Sequence, residues 1–266
     1  MFRALTIAGS DTCGGAGIQA DLKSFSANGV YGMSVITAVT AQNTMGVFGI
    51  QDINPEMIES QINVIFDDIR VDVIKIGMVS KIESIEAISK SLRKIKELPV
   101  IVLDPVMISK SGFNLLSRDA KDTLVKELFP LATLVTPNLP EAEEILGMKI
   151  KTLDDMKDAA LRLKELGPKA VLVKGGHLEE DATDLLFDGT NFIYFKQERI
   201  NTTHTHGTGC TLSSAIAANL AKNMTMEQAV KEGKRYITCA IKHGFKLGKG
   251  VGPTNHFYEL YKKAGI

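Results

Sequence analysis

Short apolar runs alternate with longer amphipathic segments along almost the whole chain. The short runs are rich in β-branched residues and hold too few residues for a helix, so we predict that they form strands. These predicted strands are Phe2–Ala8, Val35–Ala41, Val73–Ile76, Val100–Leu103, Thr133–Val135 and Ala170–Val173. The segments between them, of about ten to fifteen residues, are typical of helices that pack on a sheet.

The segment Leu153–Leu166 shows the period of an amphipathic helix, because its apolar side chains recur at steps of three and four residues. Thr152 precedes this segment and Asp155 follows three residues later, a pattern that predicts a capping box. Two further helices are predicted at Ile18–Asn28 and Leu212–Leu220.

Apolar strands that alternate with helices indicate an α/β protein whose central sheet is mostly parallel and covered by helices on both faces. Ala182–Phe187 and Phe192–Lys196 are an exception, because the short turn Asp188-Gly189-Thr190 joins them and predicts a hairpin. The chain contains no linker, repeat or low-complexity segment. We therefore expect a single domain over residues 1–266.

The composition is that of a globular protein. Of the 266 residues, 44% are hydrophobic and 23% are charged, and 31 basic residues balance 31 acidic ones. This neutrality argues against nucleic-acid binding, which needs a basic surface. No apolar run reaches the length of about 18 residues that a membrane span requires, and the first residues do not make a signal peptide. Three cysteines do not make a disulfide framework, so we expect a cytoplasmic protein.

Polar or glycine-rich residues directly follow six of the strand-like segments. In a parallel sheet the carboxyl ends of the strands meet at one edge, where ligands bind. The six segments are Gly9-Ser10-Asp11, Gln42-Asn43-Thr44, Gly77-Met78, Asp104-Pro105, Thr136-Pro137-Asn138 and Lys174-Gly175-Gly176. Packing alone does not explain so many polar strand ends, so we expect a ligand site at this edge.

The strongest single motif is His206-Gly207-Thr208-Gly209-Cys210-Thr211, which opens the predicted helix Leu212–Leu220. Glycines before a helix let backbone N–H groups converge, and the helix dipole adds positive charge, so the segment predicts an anion site. The alternative is an ordinary glycine-rich turn in which Thr208 caps the helix. A thiol at such a helix start is expected to have a pKa below about 8.5, so that Cys210 could act as a base.

A second glycine-rich segment, Gly15-x-Gly17-x-x-Ala20, lies between a predicted strand and a predicted helix, as a dinucleotide-binding fingerprint does. It fits that fingerprint poorly, because extra residues separate it from the strand and the expected acidic residue about 20 positions on is missing. Close approach of the backbone to a small substrate is the better interpretation. Asp21, on the first turn of the next helix, would accept a hydrogen bond from that substrate or else be a solvated helix residue.

Residues at other strand ends could hold a metal ion or a phosphate. The chain has no Walker A motif, so a phosphate needs another cradle. Asp104 with the pair Asn138 and Glu141 could hold a metal, but Asn-x-x-Glu is also a helix start in which the Asn caps and the Glu reaches back. Lys174, beside two glycines, could reach a phosphate or face the solvent.

Three other features carry weaker hypotheses. His204-x-His206 with Cys210 could form a zinc site, although no second cluster completes the usual ligand set. Cys13, in a loop, and Cys239, in a helical segment, are expected to be structural. From Lys222 onward nine basic residues face only three acidic ones, an excess that could favour the approach of a nucleotide.

Seven motifs, in this order along nearly the whole chain, resemble those of the hydroxymethylpyrimidine/phosphomethylpyrimidine kinases of the ribokinase-like superfamily. They are A-G-S-D-x-x-G-G-A-G-I-Q-A-D-L-K (Ala8–Lys23), T-A-Q-N-T-x-G-V (Thr40–Val47), K-I-G-M (Lys75–Met78), D-P-V-M (Asp104–Met107), T-P-N-x-x-E-A (Thr136–Ala142), V-K-G-G-H (Val173–His177) and H-G-T-G-C-T (His206–Thr211). The resemblance implies a three-layer ribokinase-like fold and ATP-dependent phosphorylation of hydroxymethylpyrimidine, then of its monophosphate, in thiamin biosynthesis. It also implies Mg²⁺ as a cofactor and a homodimer.

The resemblance further implies a role for each residue that matches a family motif. Cys210 is then the catalytic base, at a position where many related sugar kinases carry Asp, and Lys174 contacts the transferred phosphate. The remaining assignments are Gly207, Thr208 and Gly209 with Cys210 in an anion hole, Asp104 and Glu141 near Mg²⁺, Asn138, Thr208 and Lys174 at the nucleotide, and Gly9, Asp21, Gln42, Met78 and Val106 at the pyrimidine.

Similar enzymes of the same superfamily phosphorylate pyridoxal or pyridoxine, so that activity, alone or in addition, is the alternative. Gln42 favours the pyrimidine, because its amide offers both a donor and an acceptor to an aminopyrimidine edge, and because similar pyridoxal-specific relatives tend to carry an apolar residue there. The competing function classes are an NAD-dependent oxidoreductase built on Gly15–Ala20 and a non-catalytic ligand-binding protein.

Overall fold

The computed structural model describes residues 1–108, 112–113, 115–117, 119–176 and 182–266. In these ranges nine strands form one sheet. The strands are β1 (Arg3–Ser10), β2 (Tyr31–Asn43), β3 (Gly46–Asp52), β4 (Val73–Ile76), β5 (Val100–Leu103), β6 (Leu134–Val135), β7 (Ala170–Val173), β8 (Asp184–Phe187) and β9 (Phe192–Phe195). From edge to edge they lie in the order β3, β2, β1, β4, β5, β6, β7, β8, β9.

The middle of the sheet is parallel, as the alternation of strands and helices predicts. β1 pairs in parallel with β2 on one side and with β4 on the other, and parallel pairing continues through β5, β6 and β7. β3 is antiparallel to β2 at one edge, and β8 is antiparallel to both β7 and β9 at the other. The predicted hairpin is confirmed in β8 and β9, where Leu186 pairs with Ile193.

The β2–β3 edge differs from the prediction. β2 extends from Tyr31 to Asn43 and so is longer than the predicted Val35–Ala41, and Gly46–Asp52 forms a strand that the apolar pattern does not predict. Every residue of β3 is exposed or half-buried. A strand at the edge of a sheet needs no continuous apolar run, and this is why the sequence pattern does not reveal it.

Helices cover both faces of the sheet. They are α1 (Gly17–Ala27), α2 (Pro55–Asp68), α3 (Ile82–Arg93), α4 (Ala120–Leu128), α5 (Leu139–Leu146), α6 (Leu153–Glu165), α7 (Thr208–Ala221), α8 (Met226–Lys242) and α9 (Tyr258–Ala264). The predicted capping box of α6 is confirmed, because Thr152 Oγ1 accepts from the Asp155 N–H and the Asp155 carboxylate accepts from the Thr152 N–H. In the part of the chain that the structure describes, no helix has the length and apolar character to cross a membrane.

Two apolar layers form the core, one on each face of the sheet. Leu5 and Ile7 of β1 belong to the layer with α2 through α6, whereas Ala4 belongs to the layer with α1, α7 and α8. Successive side chains of a strand point to opposite faces, so a strand covered on both faces is apolar throughout. β4 departs from this rule, because Lys75 is fully buried on the same face as Val73.

Candidate active site

The carboxyl ends of the central strands meet at one edge of the sheet, next to the glycine turn before α7. A Cβ added to Gly209 would lie 3.4 Å from Nζ of Lys174 and 3.5 Å from Oδ2 of Asp104. Asn138 forms an isolated parallel bridge with Lys174. The structure thus brings the residues that follow β5, β6 and β7 to the start of α7, as the strand-end pattern predicts.

Gly207 opens the glycine turn in the left-handed backbone conformation, with φ 77° and ψ 10°. A side chain here would also overlap the carbonyl oxygen of Gly15, so both the backbone and the close approach require glycine. No side chain in the described residues caps α7, and the Thr208 hydroxyl donates to the carbonyl oxygen of Thr205 at 2.8 Å. The alternative in which Thr208 caps the helix is wrong. The first N–H groups of a helix lack intrahelical acceptors, which suits this turn to an anion.

Lys174, which is half-buried, and Asp104, which is buried, form an ion pair beside the turn. Nζ of Lys174 lies 2.7 Å from Oδ1 of Asp104, which also accepts from Thr136 at 3.1 Å, and Ser213 donates to Oδ2 at 3.3 Å. Burial would raise the pKa of Asp104, but Lys174 holds it below its usual value. Burial would lower the pKa of Lys174, but Asp104 raises it above its usual value. Lys174 is therefore a fixed positive charge next to the turn.

Asn138 and Glu141 form the start of α5. The Asn138 side chain accepts from the Glu141 N–H at 2.8 Å, and the Glu141 carboxylate accepts from the Asn138 N–H at 2.8 Å, so the helix-start interpretation is confirmed. Glu141 is also buried, and burial raises its pKa to about 7, although Lys174 opposes the rise. The charge of Asp104 adds to it, so the two carboxyl groups interact. The capping role does not exclude the metal hypothesis, because the Glu141 carboxyl group is still close enough to feel the charge of Asp104.

Cys210 lies half-buried in the first turn of α7. Burial raises the pKa of its thiol to about 11, Lys75 opposes this rise, and Asp21 and Asp104 add to it. The expectation that the helix start lowers this pKa is therefore wrong. Lost hydration and two nearby carboxylates outweigh the helix N-terminus and one lysine. At neutral pH the thiol carries its proton.

Asp21 lies beneath the turn in a fully buried ion pair with Lys75. Nζ of Lys75 lies 2.9 Å from each Asp21 carboxylate oxygen, and Asp21 also accepts from Thr6 and Ser214, each at 2.6 Å. Because both oxygens are occupied and no part of the side chain is exposed, Asp21 has no free acceptor in this structure, and its contact with a substrate stays a prediction. The solvated-helix alternative is wrong for the same reason. Asp21 instead links α1, β4 and α7 under the site.

The other residues expected at the pyrimidine lie at the ends of β1, β2, β4 and β5. Gly9 and Met78 are adjacent, because a Cβ added to Gly9 would lie 2.9 Å from Sδ of Met78. Gln42 is half-buried, and its Nε2 lies 3.4 Å from Nε2 of His206. Val106, just beyond β5, is half-buried as well. The contacts of these four residues with a substrate stay predictions.

Asp11 organises the second glycine-rich segment. Its Oδ2 accepts from the N–H groups of Gly15 and Ala16, at 2.9 and 2.8 Å, and from Nε2 of His206 at 2.8 Å. Burial would raise the pKa of Asp11, but the hydrogen bonds and charge of these partners, His206 first, lower it to about 2. The N–H groups that a dinucleotide phosphate would need already donate to a carboxylate. This arrangement argues against the NAD-binding hypothesis.

His206 belongs to a different cluster from the predicted zinc site. Among the described residues, donor atoms of Asp11, Cys13 and His206 lie within 4.8 Å of one another, whereas His204 and Cys210 belong to no such group. The zinc hypothesis for that pair is wrong. Burial, and then Asp11, raises the pKa of the Cys13 thiol to about 11, so without a metal Cys13 carries its proton at neutral pH.

Two further predictions concern residues away from the site. The excess of basic residues beyond position 222 is partly used in ion pairs, since Lys234 lies 2.5 Å from Asp184, and Arg235 pairs with Glu232 and Glu259. His177, the last residue of the motif at 173–177, lies outside the described residues.

Three residues of the site make buried contacts that the sequence predictions do not include. Lys75 could have been noticed, because a charge inside the apolar run of β4 must find a buried partner. Asp11 and His206 stand in the matching motifs, but their contact joins residues that are 195 positions apart. Nothing in the local pattern points to that contact.

Comparison with known proteins identifies related sequences over almost the whole chain. The family model of phosphomethylpyrimidine kinase matches residues 11–255. A hydroxymethylpyrimidine/phosphomethylpyrimidine kinase from Rhizobium meliloti is 50% identical over 97% of this chain and 98% of that protein. The thiamine biosynthesis bifunctional protein ThiED from Geobacter sulfurreducens is 51% identical over 95% of this chain and 51% of its own length. The chain thus spans about half of that bifunctional relative.

Solved structures give the same fold. Phosphomethylpyrimidine kinase from Clostridium difficile has a TM-score of 0.81 at 52% identity, covering 90% of this chain and 98% of that one. Bacillus subtilis pyridoxal kinase, solved as an ADP complex, has a TM-score of 0.89 at 42% identity, covering 97% and 98%. The predicted ribokinase-like fold is confirmed. On this sequence and structural evidence, the chain belongs to the phosphomethylpyrimidine kinase family.

Proposed function

We propose that the protein transfers a phosphoryl group from ATP to the hydroxymethyl group of hydroxymethylpyrimidine, and then to the monophosphate, in thiamin biosynthesis. The observation that carries this proposal is the Lys174–Asp104 pair lying against Gly209 at the start of α7. A fixed positive charge and converging helix N–H groups suit a phosphoryl group in transfer. Relatives that are 50% and 46% identical, from Rhizobium meliloti and Bacillus subtilis, are named for both phosphorylations.

ATP and Mg²⁺ would occupy the same edge of the sheet. Neighbouring pyridoxal kinases were solved with ADP and with AMP-PCP, which supports a nucleotide here. Asp104 and Glu141 offer the carboxylate oxygens that Mg²⁺ prefers, so the donor set fits the ion. When bound, Mg²⁺ neutralises charge on the phosphate oxygens. Asn138 and Thr208 are assigned to the nucleotide phosphates, beside Lys174.

Cys210 is assigned to receive the proton of the alcohol. It must first lose its own proton, and with a pKa of about 11 only a small fraction is thiolate at neutral pH. In a loose phosphoryl-transfer transition state the attacking alcohol keeps its proton until late, so a small fraction of Cys210 thiolate is compatible with turnover. Lys174 and the N–H groups of Gly207 to Cys210 would then supply most of the rate acceleration, by positioning and by charge.

The substrate assignment depends on Gln42 and competes with pyridoxal or pyridoxine. The competing activity is supported by the close structural match to pyridoxal kinase, with a TM-score of 0.89. We expect ADP release with hydroxymethylpyrimidine to show the higher kcat/KM, and a reversed preference would reject the assignment. Binding without ADP release would instead indicate a binding protein, and a fluorescence titration with NADH would detect the oxidoreductase alternative.

We infer further that the active species is a homodimer and that it works in the cytoplasm. The dimer is supported by the family resemblance. Cys13, Cys210 and Cys239 are free thiols, which suits a reducing compartment. Light scattering from the purified protein would test the dimer against the mass of one chain, 28.9 kDa.

A further inference from the structure

His206 connects the two glycine-rich segments with the end of β2. Its Nε2 lies 2.8 Å from Oδ2 of Asp11 and 3.4 Å from Nε2 of Gln42. Its backbone N–H donates to the carbonyl oxygen of Gly252 at 3.0 Å, and a side chain on Gly15 would overlap the imidazole ring. The ring is buried and held from several sides, so its orientation towards Gln42 is fixed.

The Asp11 contact determines where His206 carries a proton. Asp11 is a carboxylate, since its pKa is about 2, and a carboxylate can only accept hydrogen bonds. Nε2 of His206, at 2.8 Å, must therefore be protonated and donate to it. Nε2 carries only this one N–H, so Gln42, at 3.4 Å, can meet it only as the second and more distant acceptor of a shared N–H. A carboxamide oxygen can take that place and a carboxamide nitrogen cannot.

The opposite side of the Gln42 amide leads to the same conclusion. The Thr40 hydroxyl donates its proton to the carbonyl oxygen of Ser10 at 2.7 Å, so towards Gln42 it offers only a lone pair. Oγ1 of Thr40 lies 3.4 Å from Oε1 of Gln42, so two oxygen acceptors face each other, which is again unfavourable. The oxygen and nitrogen of a carboxamide have the same shape, and turning the amide by half a turn makes both contacts favourable.

We propose that His206, held by Asp11, is a specificity-determining positioning residue that fixes the Gln42 amide with Oε1 towards His206 and Nε2 towards Thr40. This inference rests on the proposed function, in which Gln42 meets the pyrimidine. One N–H and one lone pair of the amide are then left in a fixed order along its free edge. An aminopyrimidine, with an amino donor next to a ring-nitrogen acceptor, complements such an edge. Pyridoxine has no such amino group, and an amide that turned freely would discriminate less between the two.

The test is a double-mutant cycle read as a ratio of substrates. We would measure kcat/KM for hydroxymethylpyrimidine and for pyridoxine in the wild type, His206→Phe, Gln42→Leu and the double variant. His206→Phe keeps a ring against Gly15 but cannot donate. Losing one oriented hydrogen bond should lower the ratio about tenfold, through KM for hydroxymethylpyrimidine and not through KM for ATP. In the double variant the ratio should match that of Gln42→Leu alone, because the amide that His206 orients is gone.

His256→Leu is the matched control. His256 is also buried, and its Nε2 lies 3.0 Å from the Thr211 hydroxyl and not near Gln42. This variant should lower stability and leave the substrate ratio unchanged. If His206→Phe lowers kcat/KM equally for both substrates, or if its effect multiplies with that of Gln42→Leu, then His206 has only a structural role and the inference is overturned.

Thr40 gives a second route that leaves His206 intact, in case His206→Phe does not fold. Thr40→Val removes the lone pair that faces the amide and should lower the ratio, whereas Thr40→Ser keeps the hydroxyl and should preserve it. Equal ratios in these two variants would overturn the inference. Failure of the proposed function is separate, because it would appear in the wild type as no preference for hydroxymethylpyrimidine.

Discussion

At the scale of single residues, Cys210 shows how burial competes with charge. The helix start and Lys75 both favour a thiolate, yet burial raises the pKa of the thiol to about 11. Lys75 has limited influence because its charge is balanced by Asp21, whose oxygens lie 2.9 Å away. Cys210 is therefore a neutral thiol at neutral pH, and the thiolate that can act as a base becomes more abundant as the pH rises.

The thiol predicts the pH dependence of turnover. If the Cys210 thiolate receives the alcohol proton, its fraction, and with it kcat, should rise about tenfold per pH unit between roughly pH 7 and 9, below the pKa. Cys210→Ala should lose this slope, lower kcat by about 10² to 10⁴ and change KM for ATP little. Initial rates of ADP release at saturating substrates would measure both. An unchanged slope in Cys210→Ala would remove Cys210 from this role.

The buried Lys75–Asp21 pair predicts a large effect on stability. Lys75→Met leaves the Asp21 carboxylate buried without its cation and should lower the free energy of unfolding by about 3–5 kcal/mol. Lys90→Met is the matched control, since Lys90 also lies 2.9 Å from a carboxylate oxygen, that of Glu59, but on the surface. Its loss should cost less than about 1 kcal/mol. Urea unfolding measures both, and similar losses would contradict the argument.

At the scale of elements, the helix starts divide into two kinds. α5, α6 and α8 begin with capping boxes at Asn138, Thr152 and Thr225, which satisfy the first N–H groups from within the chain. α7 follows Gly207, which has no side chain to offer, and α1, α3, α4 and α9 also begin without a side-chain cap. What sets α7 apart is the Lys174–Asp104 pair beside its start. A helix start without its own cap can take an anion in that place, and at α7 a fixed positive charge lies next to it.

Two left-handed glycines give a matched test of that helix start. Gly207→Ala and Gly147→Ala both place a Cβ on a backbone with positive φ, 77° and 63°, which costs about 1–2 kcal/mol. Only at Gly207 does the new Cβ overlap another residue, the carbonyl of Gly15, because nothing lies within 4 Å at Gly147. We expect kcat to fall about 10²-fold in Gly207→Ala and to stay unchanged in Gly147→Ala. Equal kcat values in the two folded variants would show that the turn is not part of the catalytic machinery.

The elements themselves were largely predictable from sequence. The central strands are covered on both faces, so each leaves a short apolar run, and the start of α6 is set by neighbouring residues alone. β3 left no such signal because it lies at the sheet edge and is nowhere fully buried. Local patterns therefore predict an element whose buried residues or capping residues are neighbours in the sequence. They fail for an element such as β3, which has no run of buried residues.

At the scale of the whole molecule, the site depends on contacts between distant parts of the chain. Asp11 meets His206 across 195 positions, and Asp21 meets Ser214 across 193. The strand-end pattern predicted which segments meet, since parallel strands end at one edge of the sheet. It could not predict the buried pairs beneath them or the raised pKa of Cys210, because both depend on packing around α7 after the chain has folded.

Glu141 links the metal site to the stability of the whole protein. Burial raises its folded-state pKa to about 7, above the ordinary value of 4.5, so its contribution to stability is complete below pH 4.5 and is lost as pH rises through 7. Mg²⁺ favours the ionised carboxylate and should therefore bind better above pH 7 than below it. Thermal melting should show a larger increase in Tm on adding Mg²⁺ at pH 8 than at pH 5.5. In Glu141→Gln, which cannot ionise, that difference should disappear, whereas an equal response in variant and wild type would place the ion elsewhere.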